Sequence, residues 1–212
     1  LPVCIVKVGV FTFLGALLPG TCLIQSERFI ASPWWKDIAE TRSTVFHYRG
    51  VVISVLLADR DAGPEKLADL RVGFGSGVEP SLHGEFERRF GIPLIECWGM
   101  TEMCRVLVVD QEPRMIDTRA MGRPRDGLEV MVVDDNDTEV ALGTPGEMVV
   151  RHSAETPRKG AFSGYLNKPE ATAEAWRSGW FHTGDVGRQD DEGGRSFVDR
   201  RRNGIRRAGE HL

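Results

Sequence analysis

Ile92-Pro93-Leu94-Ile95-Glu96-Cys97-Trp98-Gly99-Met100-Thr101-Glu102 is the stretch on which the reading of this chain turns. The apolar run 92–95 predicts a short buried strand that stops at a tight glycine turn. That turn delivers a flat aromatic ring, a hydroxyl and a carboxylate together. A ring can stack on a base, a hydroxyl can bond a phosphate oxygen, and a carboxylate can hold Mg2+, which prefers oxygen ligands. Gly99 lets the backbone approach a ligand with no side chain in the way. In open α/β sheets ligands sit at the carboxyl ends of strands, where this turn falls. The plainer alternative is an ordinary strand–loop junction whose Trp98 is half-buried core.

Toward the N-terminus, strands and helices alternate. Residues 11–19 predict a helix with Gly20 as its left-handed stop, and 21–24 a short buried strand. Ser32 and Pro33 give a cap and a first-turn proline for a helix over 34–42. Residues 44–48 are β-branched and aromatic, hence a strand, and 51–57 begin an apolar helix. Strand 71–74 runs into Gly75-Ser76-Gly77, and Pro80 opens a helix to Phe90 with Leu82, Phe86 and Phe90 on one face. This alternation implies a mainly parallel sheet covered on both faces.

Past Thr101 the pattern changes. Strands are expected at 104–109, 128–133, 146–151 and 195–198, separated by turn chemistry such as Asp134-Asp135-Asn136-Asp137 and Gly143-Thr144-Pro145-Gly146. The one clear helix is 169–176, with Pro169 first and Glu170 early. The fold class is therefore α/β, a mostly parallel sheet flanked by helices and followed by a smaller antiparallel, β-barrel-like subdomain. The expected boundaries are 1–115, 116–199 and 200–212.

Charged residues at 27% and hydrophobics at 41% describe a globular chain, and a net charge of -4 gives no reason to expect nucleic acid or an anionic membrane as partner. The Arg200-Arg201-Arg202 run with Arg206-Arg207 is a local exception, either a solvated face or an attractor of phosphates. The 4 cysteines, Cys4, Cys22, Cys97 and Cys104, have no metal-binding spacing and predict reduced, buried thiols of a cytoplasmic protein. The most apolar window, 8–18, is too short for a transmembrane segment. No serine stands in a nucleophile elbow. His182 is expected to be structural, and His83, His152 and His211 show no partner arrangement.

Two further places can carry chemistry. The amides of Gly75-Ser76-Gly77 can form a concavity for an anion or a base edge, or simply turn the chain from strand to helix. Asp185, in Thr183-Gly184-Asp185, sits in a predicted glycine turn, where an aspartate is ordinary turn chemistry or a ligand.

Trp98-Gly99-Met100-Thr101-Glu102 resembles the Tyr-Gly-x-Thr-Glu motif of the adenylate-forming enzymes, which include acyl-CoA synthetases, peptide-synthetase adenylation domains and luciferases. Five more segments follow the family order: Gly75-Ser76-Gly77, Met121-Gly122-Arg123-Pro124, Phe162-Ser163-Gly164-Tyr165 with Asn167-Lys168-Pro169-Glu170-Ala171-Thr172, Gly179-Trp180-Phe181-His182-Thr183-Gly184-Asp185, and Asp199-Arg200. The likeness covers most of the chain and is nearest the acyl-CoA ligase branch, among carnitine/crotonobetaine- and fatty-acid-CoA ligases.

The resemblance implies that Glu96, Cys97, Trp98, Gly99, Met100 and Thr101 meet the nucleotide. Trp98 would stack on adenine, Thr101 bond the α-phosphate and Glu102 bind Mg2+. Gly77, Val78 and Glu79 would line the adenine pocket, although Glu79 stands where the family usually has proline. Asp185 would accept the ribose hydroxyls and Arg200 contact ribose and phosphate. Arg202 falls at the hinge position, and His47, Tyr48 and Gly75 at the wall of an acyl pocket. The implied substrates are a carboxylic acid, ATP with Mg2+, and coenzyme A, in a protein that can be oligomeric. A glycine-rich phosphate loop would lie before residue 1 and a lysine-bearing domain after residue 212, so residues 1–212 alone are expected to turn over poorly. The alternatives are an adenylation domain that loads a carrier protein, and a truncated relative that serves only as a nucleotide-binding or interaction module.

Overall fold

The computed structural model describes residues 12–26, 28–59, 69–104, 106–112, 114–189 and 196–201. The chain divides into two compact units, Leu1–Arg119 and Ala120–Leu212.

In the first unit, a short helix α1 (Gly15–Leu17) ends at Gly20, whose φ of 73° is the left-handed stop expected there. Residues 21–24 form no strand; Thr21, Cys22 and Ile24 are exposed, so nothing buries the apolar pair that suggested one. Helix α2 (Ala31–Glu40) starts ahead of Ser32. The extended Ile30 is its cap residue, and Ser32 and Pro33 lie inside the first turn, a place proline tolerates because that N–H has no helical acceptor.

Strand β1 (Val45–Arg49), helix α3 (Gly50–Ala58), strand β2 (Val72–Ser76), helix α4 (Pro80–Phe90), strand β3 (Leu94–Gly99) and strand β4 (Val106–Val108) follow. They form one sheet in the order β1-β2-β3-β4; β1, β2 and β3 are parallel and β4 runs back antiparallel to β3. Each parallel step is made through a helix. Right-handed crossovers that advance the sheet in a single direction place their helices on one face. Accordingly Trp35 of α2, Ile53, Leu56 and Leu57 of α3, and Phe86 and Phe90 of α4 share one core with Phe46, Tyr48 and Leu94. Val45, on the other side of β1, is 46% exposed. His47, on the same side of β1 as Val45, bonds Thr12 of the helical stretch that leads into α1, so helical residues meet both faces of that strand.

In the second unit, strands β5 (Glu129–Val133) and β6 (Gly146–Arg151), helix α5 (Pro169–Ala175), and strands β7 (Phe181–Gln189) and β8 (Ser196–Arg201) appear in that order. The strands make an antiparallel sheet, β5-β6-β7-β8. No pairing of β5 with β8 closes it among the described residues, so it is an open sheet and not the barrel-like form expected. β7 is the largest departure from the sequence reading. Its Gly184-Asp185 chemistry suggests a turn, yet hydrogen-bonding partners on both sides carry one nine-residue strand through it, bent at Gly184.

Candidate functional site

The carboxyl ends of β1, β2 and β3 lie in register: Arg49 pairs with Ser76, and Gly75 with Glu96. Gly50, Gly77 and Trp98-Gly99 therefore fall at one edge of the sheet, where α/β proteins place ligands. The motif itself belongs to the strand, because β3 runs through Glu96, Cys97 and Trp98 to Gly99. Met100-Thr101-Glu102 is the tip of a β3–β4 hairpin, with Trp98 paired to Leu107 and Gly99 to Val106. The tip is closed by the Met103 and Cys104 amides, which donate to the Met100 carbonyl at 3.3 and 3.2 Å. Met103, 0% exposed, anchors it. Cys104 has a positive φ of 48° and so belongs to this turn and not to the following strand. Thr101 is exposed and Glu102 partly so. Trp98 keeps only 9% of its surface open.

Behind the hairpin lies a hydrogen-bond relay. The Tyr48 hydroxyl donates to Glu96 Oε1 at 2.6 Å, and the Gly77 amide donates to Glu96 Oε2 at 2.8 Å. Glu96 thereby ties the end of β1 to the turn after β2. Tyr48 is 0% exposed. Burial first, then the Glu96 charge and hydrogen bond, hold its phenol far above the ordinary tyrosine range. Gly75 is required because a Cβ there would lie 2.3 Å from the Tyr48 ring. Gly50 is required because its Cβ would lie 1.7 Å from the Gly77 carbonyl oxygen. Gly77 itself has a φ of +82°. Val78 is buried in the core, leaving its backbone as the part that can face a ligand. Glu79 is paired with Arg119 at 2.9 Å on a half-exposed surface. His47 is bonded to Thr12 through Nδ1 at 3.1 Å and meets the Phe74 ring edge-on.

In the second unit the predicted glycine turn is a bulge. Glu147 pairs with Val186 and Val149 with His182, so Met148 alone stands opposite Thr183, Gly184 and Asp185. Gly184, at φ +71°, makes the bend. The Thr183 hydroxyl donates to the Met148 carbonyl at 2.6 Å and accepts the Asp185 amide at 3.1 Å. Asp185 is buried. Arg200 pairs by its backbone with Val186, and Arg201 with Asp185, which brings Arg200 and Asp185 to adjacent strands. Arg202 lies outside the described residues.

The sequence pattern of the AMP-binding enzymes matches residues 3–166. The chain belongs to the AMP-binding enzyme family. Crotonobetaine/carnitine–CoA ligases are similar along nearly the whole chain. That of Proteus mirabilis is 33% identical over 201 residues, 94% of this chain and 38% of the relative. That of Citrobacter koseri is 31% identical over the same shares. The chain thus spans 38% of the length of these curated relatives. Among solved structures, the N-terminal domain of FACL13 from Mycobacterium tuberculosis aligns with a TM-score of 0.79 at 25% identity, over 95% of this chain and 49% of the other. The O-succinylbenzoate coenzyme A synthetase of Bacillus subtilis, in complex with ATP and magnesium ion, shares the fold at a TM-score of 0.78 and 24% identity, over 100% of this chain and 43% of the other.

In this member of the AMP-binding family, several side chains do something other than what their motif suggests. Glu96 spends both carboxylate oxygens on Tyr48 and Gly77, and Tyr48 has no open surface to line a pocket. Cys22 and Cys104 are exposed, against the expectation of buried thiols. His83 bonds Glu87 at 3.1 Å and His152 bonds Thr156 at 2.8 Å, so both have partners, each four residues away in sequence. Gly50 and Glu147 were missed; only the close approach of Gly50 to Gly77 and the hydrogen bonds of Glu147 reveal them. Among the described residues no helix is long and apolar enough to cross a membrane.

Proposed function

We propose that this chain carries the nucleotide-handling part of an ATP-dependent acid–thiol ligase of the acyl-CoA synthetase type. A carboxylate oxygen attacks the α-phosphorus of ATP, the bond to the β-phosphate oxygen breaks, and acyl-adenylate and pyrophosphate result. The thiol of coenzyme A then attacks the acyl carbon, gives up its proton, and AMP departs. Such chemistry asks the protein for positioning and charge stabilisation, with no covalent protein intermediate.

The observation that carries this reading is the β3–β4 hairpin, which presents the Thr101 hydroxyl and the Glu102 carboxylate from a loop anchored by buried Met103. Thr101 donates to an α-phosphate oxygen, and the Trp98 ring and the Gly77-Val78 backbone take the base. Asp185, with two acceptor oxygens and no donor when ionised, suits the two ribose hydroxyls, and the Arg200 guanidinium suits ribose and phosphate. Arg202 stands at the hinge position.

The hairpin tip carries the partly exposed Glu102 carboxylate. A carboxylate there fits Mg2+, which typically takes one or two carboxylates and completes its shell with phosphate oxygens and water. Glu102 is the residue that would hold it, and the ion supplies charge neutralisation as pyrophosphate leaves.

The test is pyrophosphate exchange and AMP release by the full gene product, with a panel of acids that includes crotonobetaine and fatty acids. Acid-dependent exchange and CoA-dependent AMP release are expected, and Glu102→Gln should lower kcat by roughly 100-fold or more. Exchange without CoA-dependent release, but with transfer to a carrier protein, moves the assignment to carrier loading. No exchange with any acid removes the ligase.

A further inference from the structure

The second unit contains a buried carboxylate that the proposed chemistry leaves unused. Glu147, on β6, is buried, and both of its oxygens are hydrogen-bonded. Oε1 accepts the Gly184 amide at 3.0 Å. Oε2 is bonded to His182 Nδ1 at 3.1 Å and accepts from the Arg177 guanidinium at 3.3 Å. Two of these partners, His182 and Gly184, flank Thr183 inside the β7 bulge, and Gly184 immediately precedes Asp185.

Behind Glu147 stands a second carboxylate. Asp137 accepts from the Ser178 hydroxyl at 2.7 Å, and lies 3.4 Å from Arg177 Nε and 3.7 Å from His182 Nε2. His182 is thus held between two acids and Arg177 shared by them. The Ser178 hydrogen bond, opposed by burial and aided by the His182 and Arg177 charges, holds the Asp137 carboxyl below the usual range.

A bulge of three residues opposite one has lost its regular ladder bonds and needs other partners. Here the Glu147 carboxylate of β6 takes the Gly184 amide, and the Thr183 hydroxyl takes the Asp185 amide while donating to the Met148 carbonyl. A charge-assisted hydrogen bond to Gly184 defines the left-handed bend that sets the direction of the next residue. We propose that Glu147 is the positioning residue for Asp185, fixing the Gly184 bend so that the Asp185 carboxylate is aimed at the ribose hydroxyls of the nucleotide. This rests on the ribose role of Asp185 proposed above.

The experiment compares binding of ATP and 3′-deoxy-ATP to the full gene product, unchanged and with Asp185→Ala, Glu147→Asp or Glu147→Gln. Far-ultraviolet circular dichroism and the urea midpoint monitor folding. Asp185→Ala should abolish the preference for ATP. Glu147→Asp keeps the charge but withdraws it by one methylene, and should reduce the preference about tenfold, the scale of one charge-assisted hydrogen bond. Glu147→Gln keeps an acceptor oxygen for Gly184 and should restore most of it. If Glu147→Asp weakens ATP and 3′-deoxy-ATP equally, or weakens neither, Glu147 has no positioning role. If Asp185→Ala leaves the preference intact, the ribose reading fails first and takes the Glu147 proposal with it.

Discussion

The Gly77 turn of the first unit and the Gly184 bulge of the second use the same device in different surroundings. In each, a glycine with positive φ, +82° at Gly77 and +71° at Gly184, donates its amide to a glutamate carboxylate. The other oxygen of that glutamate meets a ring donor, the phenol of Tyr48 or the imidazole of His182. Beyond that they diverge. Glu96 is held by a buried neutral phenol, and its turn is wedged against the backbone of Gly50. Glu147 belongs to an ionic group with Arg177, His182 and Asp137, and the Gly184 bend is sterically open. One turn is held by shape and the other by a hydrogen bond from within a charged cluster. A ligand edge can be made rigid either way, but the two respond differently to substitution.

The largest effect should come from Gly50→Ala. Its Cβ would lie 1.7 Å from a backbone oxygen that no side-chain rotation can move. A loss of about 3 kcal/mol or more is expected in urea unfolding of the first unit. A loss below about 1 kcal/mol would mean that the Gly77 turn yields, and the distinction between shape and hydrogen bonding would fall.

Tyr48→Phe should cost about 2 kcal/mol, because it removes the hydrogen bond to a charged carboxylate from within the core. It also has a pH signature. The folded phenol titrates above its unfolded value, near 10, so the neutral form favours the native state. That stabilisation is fully present below pH ~10 and is lost as pH rises beyond it. The unfolding free energy of the unchanged protein should therefore fall more steeply above pH ~10 than that of Tyr48→Phe. Equal slopes would show that the phenol titrates freely.

Gly184→Ala is the mild counterpart. Nothing lies within 4 Å of a Cβ at that position, so only the left-handed φ is penalised. About 1 kcal/mol should be lost in the urea midpoint. A loss as large as that of Gly50→Ala would show that the bulge is packed as tightly as the first turn.

Part of this architecture is legible without coordinates. The helix Pro80–Phe90 has proline in its first turn, a four-residue apolar repeat and Gly91 at φ 66° after its end, so each signal is local and all agree. The strands at 45–49 and 146–151 are likewise marked by β-branched, aromatic and apolar residues. β7 is not legible. Its two internal glycines and its aspartate are turn chemistry, and it is a strand only because β6 and β8 supply hydrogen bonds on both sides. Which face of the sheet each helix packs on is also invisible to periodicity, which reports that a helix has an apolar side but not which face of a sheet receives it.

The residue types at the candidate site, and so the family, were written in the chain: an aromatic, a threonine and a glutamate spaced along one strand end, with an aspartate after a glycine far downstream. Their order survives any packing, since it is covalent. Which glutamates hold a turn and which stands at a loop tip was decided by tertiary structure alone. Glu96, Glu102 and Glu147 are the same side chain in sequence, and only the neighbours that folding brings to each put Glu102 at a hairpin tip while Glu96 and Glu147 accept the amides of two glycine bends. A carboxylate accepts whatever donors lie within reach, and reach is a property of the fold.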